Sequence, residues 1–259
     1  MNKKINIIGA GIAGLTAGCY LQMNGYDTEI FELNSLPGGL CTSWNRGVYT
    51  FDGCLHWVVG SSPSDNFYHL WNELIDMKNT SFVDYDYYVK YEDIKGNNIT
   101  FFCDADKLKK ELLQKAPEDK IIINSFIKAI KKYSGFSFPI DKAYETYNFI
   151  DGLKMIMKFA PYMNSFKKWL GLNSNDFADF FKNELLRNAF KSHPVEDLSV
   201  FFIIMMNAWL NKKSAGYPIG GSLKFSQLIE KKYLELGGKI NYRNKVTKII
   251  VKNKIAKGI

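Results

Sequence analysis

Histidine is scarce in this chain, with three among 259 residues. No Ser-His-Asp series or pair of carboxylates stands at a spacing that suggests hydrolytic chemistry. The four cysteines, Cys19, Cys41, Cys54 and Cys103, form no C-x-x-C pair, so a thiolate metal site is not expected. No secretory leader is legible ahead of them, and the expectation is reduced thiols in a cytoplasmic protein. Long apolar runs are also missing. The most apolar stretch, Leu198 to Leu210, falls short of the ~20 residues needed to cross a bilayer. Three readings stay open for it: a buried helix, an adaptable Met- and Phe-rich wall for a long apolar ligand, or a segment dipping into a membrane surface. Internal repeats and low-complexity linkers are absent. The net charge of +8 comes from lysines scattered over many segments. No basic stripe is interleaved with aromatics on a recognised module, so nucleic acid is not an expected partner. A surface attractive to anionic lipid headgroups remains open.

What is present begins at Ile5. The segment INIIGAGIAGLTAGCYLQMNGYDTEIFE, Ile5 to Glu32, reads as strand, glycine-rich turn, helix and second strand. Ile5, Ile7 and Ile8 suit a buried parallel strand. Gly9, Gly11 and Gly14 make GxGxxG, for a tight turn, for close approach of backbone to a pyrophosphate, and for close packing of helix on strand. The helix expected from about Ile12 to Asn24 aims free N–H groups, beginning with those of Ile12 and Ala13, at that pyrophosphate. Leu15, Cys19, Tyr20 and Met23 recur at helical spacing as its packing face, and Gly25 suits its C-terminal end. Glu32 closes the second strand eighteen residues beyond Gly14, where a carboxylate accepts ribose hydroxyls and repels a 2′-phosphate. A dinucleotide without that phosphate is the expected ligand.

The residues that follow, LNSLPGGLCTSWNRGVYTFDGCLHWVVG, resemble the flavin amine oxidase and phytoene desaturase superfamily, most closely its bacterial phytoene-dehydrogenase-related members. Gly38 and Gly39 match a glycine pair that runs under FAD in that family, with Leu40 directly after it. Phe51 to His56 match the segment placed beside the isoalloxazine ring. A second match comes late, in YPIGGS, Tyr217 to Ser222, and in the GGKINYRNKVTKI that follows a helix. There Val246 falls where relatives contact adenine through backbone. Leu36 and Leu40 stand where relatives often carry Arg or Lys. The resemblance therefore implies an FAD whose grip rests more on backbone donors.

That resemblance implies an α/β chain: a Rossmann-like FAD-binding domain of the GR2 flavoprotein type, with an inserted α+β substrate domain and the C-terminal part missing. Members run to roughly twice this length, and the ending VTKIIVKNKIAKGI reads as a strand, a turn and the start of another, leaving an unpaired edge. The expected division is 1–70 and 216–259 for the FAD domain and 71–215 for the substrate region. Within the latter a hairpin turning at Gly96 and Asn97 is expected. Asp104 or Asp106 should cap the next helix, and Pro117 should open another to about Tyr133. Helices are expected over 142–170 and 174–192, with Ser174 as a cap.

By the same resemblance, the activity is hydride transfer to flavin N5 from an apolar, polyene- or lipid-like substrate, or from an amine. The aromatic, apolar middle with few counter-ions for an ammonium favours the first. A redox-neutral flavin isomerase and a non-catalytic escort protein of the Rab GDP dissociation inhibitor kind are the alternatives. The intact Gly14 and Glu32 favour retained FAD binding. His56 is the candidate catalytic residue, either orienting substrate or stabilising charge on the reduced flavin, and a purely structural histidine is the equal alternative. His69 is expected on a helix surface and His193 at a helix end. Peripheral contact with a membrane stays open alongside a cytoplasmic location.

Overall fold

A computed structural model describes residues 3–140, 142–192 and 198–259. Contacts group the chain into two compact units, one of Met1–Val58, Tyr68–Val83 and Tyr217–Ile259, the other of Val59–Phe67 and Asp84–Gly216. The first unit is built on β1 (Lys4–Ile8), α1 (Ile12–Met23) and β2 (Asp27–Phe31). β1 and β2 are parallel, with Ile5 opposite Thr28 and Ile8 opposite Phe31. The strand Lys239–Asn241 joins the other side of β2, also parallel. Its arrival completes a three-stranded sheet from segments some two hundred residues apart in the chain. Glu29 fastens the three strands: its carboxylate accepts from Asn241 Nδ2 at 2.8 Å and pairs with Lys4 at 2.9 Å and Lys239 at 3.0 Å. The Asn241 amide above all, then the two ammonium groups, hold it down to about 2.

Two packing details differ from the sequence reading. Ile8 is half exposed, because β1 stands at the edge of this sheet with only β2 beside it among the described residues. Met23 is exposed as well, while Gly18 joins Leu15 and Cys19 in the buried face of α1. Gly18 packs against Tyr233, wholly buried on the Gly221–Glu235 helix. A Cβ on Gly18 would lie 2.6 Å from its ring. The tyrosine hydroxyl donates to the Thr28 carbonyl at 2.9 Å, so one side chain ties both helices to β2.

The second unit has an aromatic core. Phe101, Phe126, Phe177, Phe181 and Phe190 meet at centroid distances of 5.0–5.7 Å, mostly edge-on, a geometry that aromatic quadrupoles favour. The expected hairpin forms from Tyr87–Glu92 and Asn98–Phe102, its turn held by Asp93, which accepts from the N–H groups of Lys95 and Asn97. Asp104 caps the Ala105–Lys115 helix. Pro117 opens a single 3-10 turn, after which Lys120–Ser134 is helical. The apolar run becomes the helix Val200–Asn211, buried along most of its length.

The two long helices expected after residue 141 are each broken. Pro161 sits in a 3-10 turn separating Phe149–Phe159 from Met163–Leu170, since proline removes an N–H and crowds the preceding turn. Further on, Ser174–Ala178 and Glu184–Lys191 are distinct helices, capped by Asn173 and Asn183. Ser174 is not the cap; it is buried in the first turn. Asp119 holds the break between them, accepting from the N–H groups of Lys182 at 2.8 Å and Asn183 at 2.9 Å. His193 lies outside the described residues.

Candidate dinucleotide-binding site

The chain from β1 into α1 turns at Gly9, whose φ of 95° excludes most side chains. Its N–H donates to the Phe31 carbonyl at 2.8 Å, closing the turn onto β2. Gly14 packs one helical turn later: a Cβ there would stand 2.1 Å from the Gly9 carbonyl oxygen. Gly11 differs from both. It adopts φ −67° and ψ 171°, open to any residue, and a Cβ on it would meet only the Gly38 carbonyl oxygen, at 3.9 Å. A side chain at Gly11 would therefore start out with little protein against it. Gly11 also lacks a side chain to cap α1, so no cap side chain satisfies the first-turn amides, those of Ile12 and Ala13 included.

Glu32 is 5% exposed at the end of β2. One carboxylate oxygen accepts from Ala10 N–H at 2.7 Å and the other from Asn34 N–H at 2.7 Å. Each oxygen keeps a second lone pair for another donor. The backbone around it is pinned by Glu32 N–H to the Asn241 carbonyl at 2.9 Å and by Asn244 N–H to the Glu32 carbonyl at 2.8 Å. The 243–246 segment thus passes beside the acid, with Val246 half-buried two residues beyond Asn244.

The glycine pair meets this turn directly. Gly38 N–H donates to the Ala10 carbonyl at 2.8 Å, and Gly38 forms a parallel bridge with Gly11. Gly39, at φ 61°, places its Cβ position 3.4 Å from the Gly11 Cα. Leu40, beyond the pair, is 89% exposed. Gly9, Gly11, Gly14, Glu32, Gly38 and Gly39 therefore meet around the β1–α1 turn, with leucine at positions 36 and 40.

The late glycine motif carries a residue set that sequence reasoning missed. Gly220 and Gly221 have φ of 101° and 75°, and a Cβ on Gly221 would sit 2.4 Å from Asp52 Oδ2. Their bareness admits the Asp52 carboxylate to the start of the Gly221–Glu235 helix. There it accepts from Ser222 N–H at 2.9 Å and from the Tyr217 hydroxyl. Ser222 Oγ in turn accepts from Leu55 N–H at 2.8 Å. Burial would raise the Asp52 pKa, but the donors from Ser222, Tyr217 and the Cys54 backbone outweigh it and hold it below the usual aspartate range. Cys41 is buried, and that burial pushes its thiol up to about 11. It stays protonated near neutrality and donates to the Ser222 carbonyl at 3.5 Å, a packing role for the free thiol. The only signal in sequence was the FDG and YPIGGS pairing, which says nothing of their contact. His56 lies in the same stretch, exposed, with its ring 5.8 Å from that of Trp57.

Asp52 thus acts as a cap delivered from a distant strand. Asp52→Asn is expected to lower stability in urea unfolding by about 0.5–1 kcal/mol, a modest value because the side chain is largely exposed. Because the native carboxyl is held below its unfolded value, its contribution is complete above the usual aspartate range and disappears as pH falls through it. The stability difference between wild type and Asp52→Asn should therefore shrink below about pH 4; a difference that grows on acidification would refute the capping role.

A family model described as an NAD(P)-binding Rossmann-like domain matches residues 7–74. A 4,4'-diapophytoene desaturase from a Methylomonas species is 24% identical, the match covering 99% of this chain and 50% of that protein. Among solved structures, a mutant putrescine oxidase superposes with a TM-score of 0.53 at 13% identity over 93% of this chain and 51% of its own. A Rab GDI from Plasmodium falciparum gives 0.54 at 9% identity over 98% and 61%. These structural likenesses are likenesses of fold. The chain spans about half the length of the curated relatives it matches. The chain is thus similar in sequence, along nearly its whole length, to the carotenoid desaturase and, in fold, to the oxidase and the Rab GDI, and its opening segment matches the Rossmann-like nucleotide-binding model.

Proposed function

We infer that this chain holds FAD in the Gly9–Gly39 crevice and serves a flavin-dependent oxidoreductase acting on an apolar, polyene- or lipid-like substrate. The observation that carries the reading is the meeting of Gly11 with the glycine pair, through the Gly38 bridge and the close approach of Gly39, next to an α1 start that no side chain caps. In that crevice the amides of Ile12 and Ala13 would meet the pyrophosphate, the spare lone pairs of Glu32 would accept ribose hydroxyls, and Val246 backbone would approach adenine. FAD, when bound, supplies the acceptor for a hydride removed from substrate carbon. His56 is assigned the task of orienting substrate beside that acceptor. The protein's part is otherwise binding, positioning and exclusion of water. A polyene fits the aromatic second unit better than an amine, since an ammonium would need counter-ions. A substrate of this kind is stored in lipid, so peripheral contact with a membrane belongs to the same reading.

Adding FAD to the purified chain should quench flavin fluorescence to a one-to-one end point, and NADP should not compete. Anaerobic bleaching of the bound flavin by a polyene then distinguishes an oxidoreductase from an escort protein. Binding without bleaching by any polyene or amine would leave the escort reading standing. No quenching at all would overturn the assignment of the crevice.

A further inference from the structure

Of the four cysteines, Cys54 alone is exposed; Cys19, Cys41 and Cys103 are buried. Cys54 stands across from Cys41 on the hairpin of Ser43–Arg46 and Tyr49–Asp52, two residues beyond its last ladder pair, Ser43 opposite Asp52. The Gly53 N–H donates to the Thr42 carbonyl at 3.2 Å, which holds the strands together past that pair. Thr42 and Gly53 are thus a hydrogen-bonded position, and alternation makes Cys41 and Cys54 the next, non-hydrogen-bonded one. At such positions antiparallel strands bring Cα atoms to about 4.5 Å and side chains close together, inside the range a disulfide spans. The two sulfurs do meet. The Cys54 thiol shares a hydrogen bond with that of Cys41, and after burial its charge is the next influence that raises the Cys41 pKa.

We propose that Cys41 and Cys54 form a reversible dithiol–disulfide site, in which Cys54 reacts with hydrogen peroxide and Cys41 resolves the product. The exposed Cys54 thiolate attacks one peroxide oxygen. The O–O bond breaks, Cys54 becomes a sulfenic acid, oxidised by two electrons, and the hydroxide released takes up the proton that Cys54 had shed. The Cys41 sulfur then displaces the sulfenic oxygen: an S–S bond forms, the S–O bond breaks, and the Cys41 proton leaves with that oxygen as water. Two thiols and one peroxide give one disulfide and two waters. Burial shields Cys41 from peroxide and keeps its proton in place, so it does not start the sequence; contact with Cys54 lets it act second. Oxidation removes the S–H donor from the Ser222 carbonyl, which still accepts from the Ser226 hydroxyl at 3.0 Å. The bridge ties the chain two residues after Gly39 to the chain two residues before His56. It also fixes the turn in which the Cys41 N–H donates to the Gly38 carbonyl at 2.9 Å. None of this chemistry passes through flavin, so it stands or falls apart from the proposed function.

The experiment treats the reduced full chain with a small excess of hydrogen peroxide, alkylates the remaining thiols in denaturant with N-ethylmaleimide, and maps a non-reduced tryptic digest by mass spectrometry. Cleavage after Arg46 separates the two cysteines, so a bridge appears as a joined pair of peptides. That pair is expected through Cys41 and Cys54, released by dithiothreitol, with Cys19 and Cys103 alkylated. In Cys54→Ser the Cys41 thiol should stay alkylatable after the same treatment. In Cys41→Ala the sulfenic acid has no thiol to resolve it, and dimedone should label Cys54 about tenfold more than in wild type. Because Cys41 is buried and its replacement can cost folding, the wild-type map and the exposed Cys54→Ser variant carry the test without it. Four alkylated cysteines after peroxide would overturn the proposal. So would Cys54 carried on to sulfinic acid beside an alkylatable Cys41, a disulfide between the Cys54 residues of two chains, or loss of the Cys41 thiol in Cys54→Ser.

Discussion

Gly11→Val is expected to yield a folded protein that binds no measurable FAD, while Gly14→Ala is expected to fail at folding itself. The two glycines stand three residues apart in one motif, yet their surroundings differ. At Gly11 the backbone is extended and an added Cβ has only the Gly38 carbonyl for a neighbour, at 3.9 Å. Valine fits that backbone and reduces the freedom of the unfolded chain, so stability should stay within about 1 kcal/mol of wild type. The new methyl groups would enter the space proposed for the pyrophosphate and hold it away from the α1 amides. Loss of two or three such charge-assisted hydrogen bonds corresponds to about 3 kcal/mol or more, roughly a hundredfold in affinity or greater. At Gly14 the added Cβ meets the Gly9 carbonyl oxygen at 2.1 Å, backbone against backbone, with Gly9 fixed by its bond to Phe31. Such overpacking costs about 3 kcal/mol or more. Urea unfolding and flavin fluorescence, run on both variants, check the contrast. Wild-type FAD affinity in Gly11→Val would mean that no phosphate approaches there.

The βαβ opening was readable because its determinants are local: three glycines, an alternation of apolar residues and an acid within twenty-eight residues. The rest of the crevice was readable only by resemblance. Gly38 and Gly39 look like any loop glycines until the Gly38 N–H is seen on the Ala10 carbonyl. What escaped were features made by distant partners. Met23 has the spacing of a packing residue yet is exposed, while Gly18 is buried against Tyr233, over two hundred residues away. The break before Glu184 follows from Asp119 gripping two amides sixty-odd residues downstream, which no local pattern encodes. The break at Pro161, by contrast, has a local signature, a proline inside the expected 142–170 helix. Asp52 falls in the Phe51–His56 segment that the resemblance matches, but its contact with Ser222 N–H, a helix capped from another strand, has no linear signature.

Glu32→Ala is expected to lose both stability and FAD, and the two losses can be separated. The carboxylate is buried and already accepts from Ala10 and Asn34, so alanine strands two N–H groups with no acceptor in a shielded place. That should cost about 2–4 kcal/mol in urea unfolding. Glu32→Gln retains the shape but replaces one oxygen with an NH2 group, which must face one of the two N–H donors. Its stability should therefore fall between wild type and alanine. If Glu32 serves only to organise the turn, FAD affinity measured on fully folded protein, at low temperature and without denaturant, should be the same in all three. If its spare lone pairs accept the ribose, affinity should fall about tenfold to a hundredfold in Glu32→Ala even when every molecule is folded. The acid then does two jobs with one side chain: its inner lone pairs fix Ala10 and Asn34, and that fixation aims the outer ones at the sugar. A glutamate so anchored loses little conformational freedom on binding, which is how one carboxylate can discriminate a ribose diol without help from basic residues at positions 36 and 40.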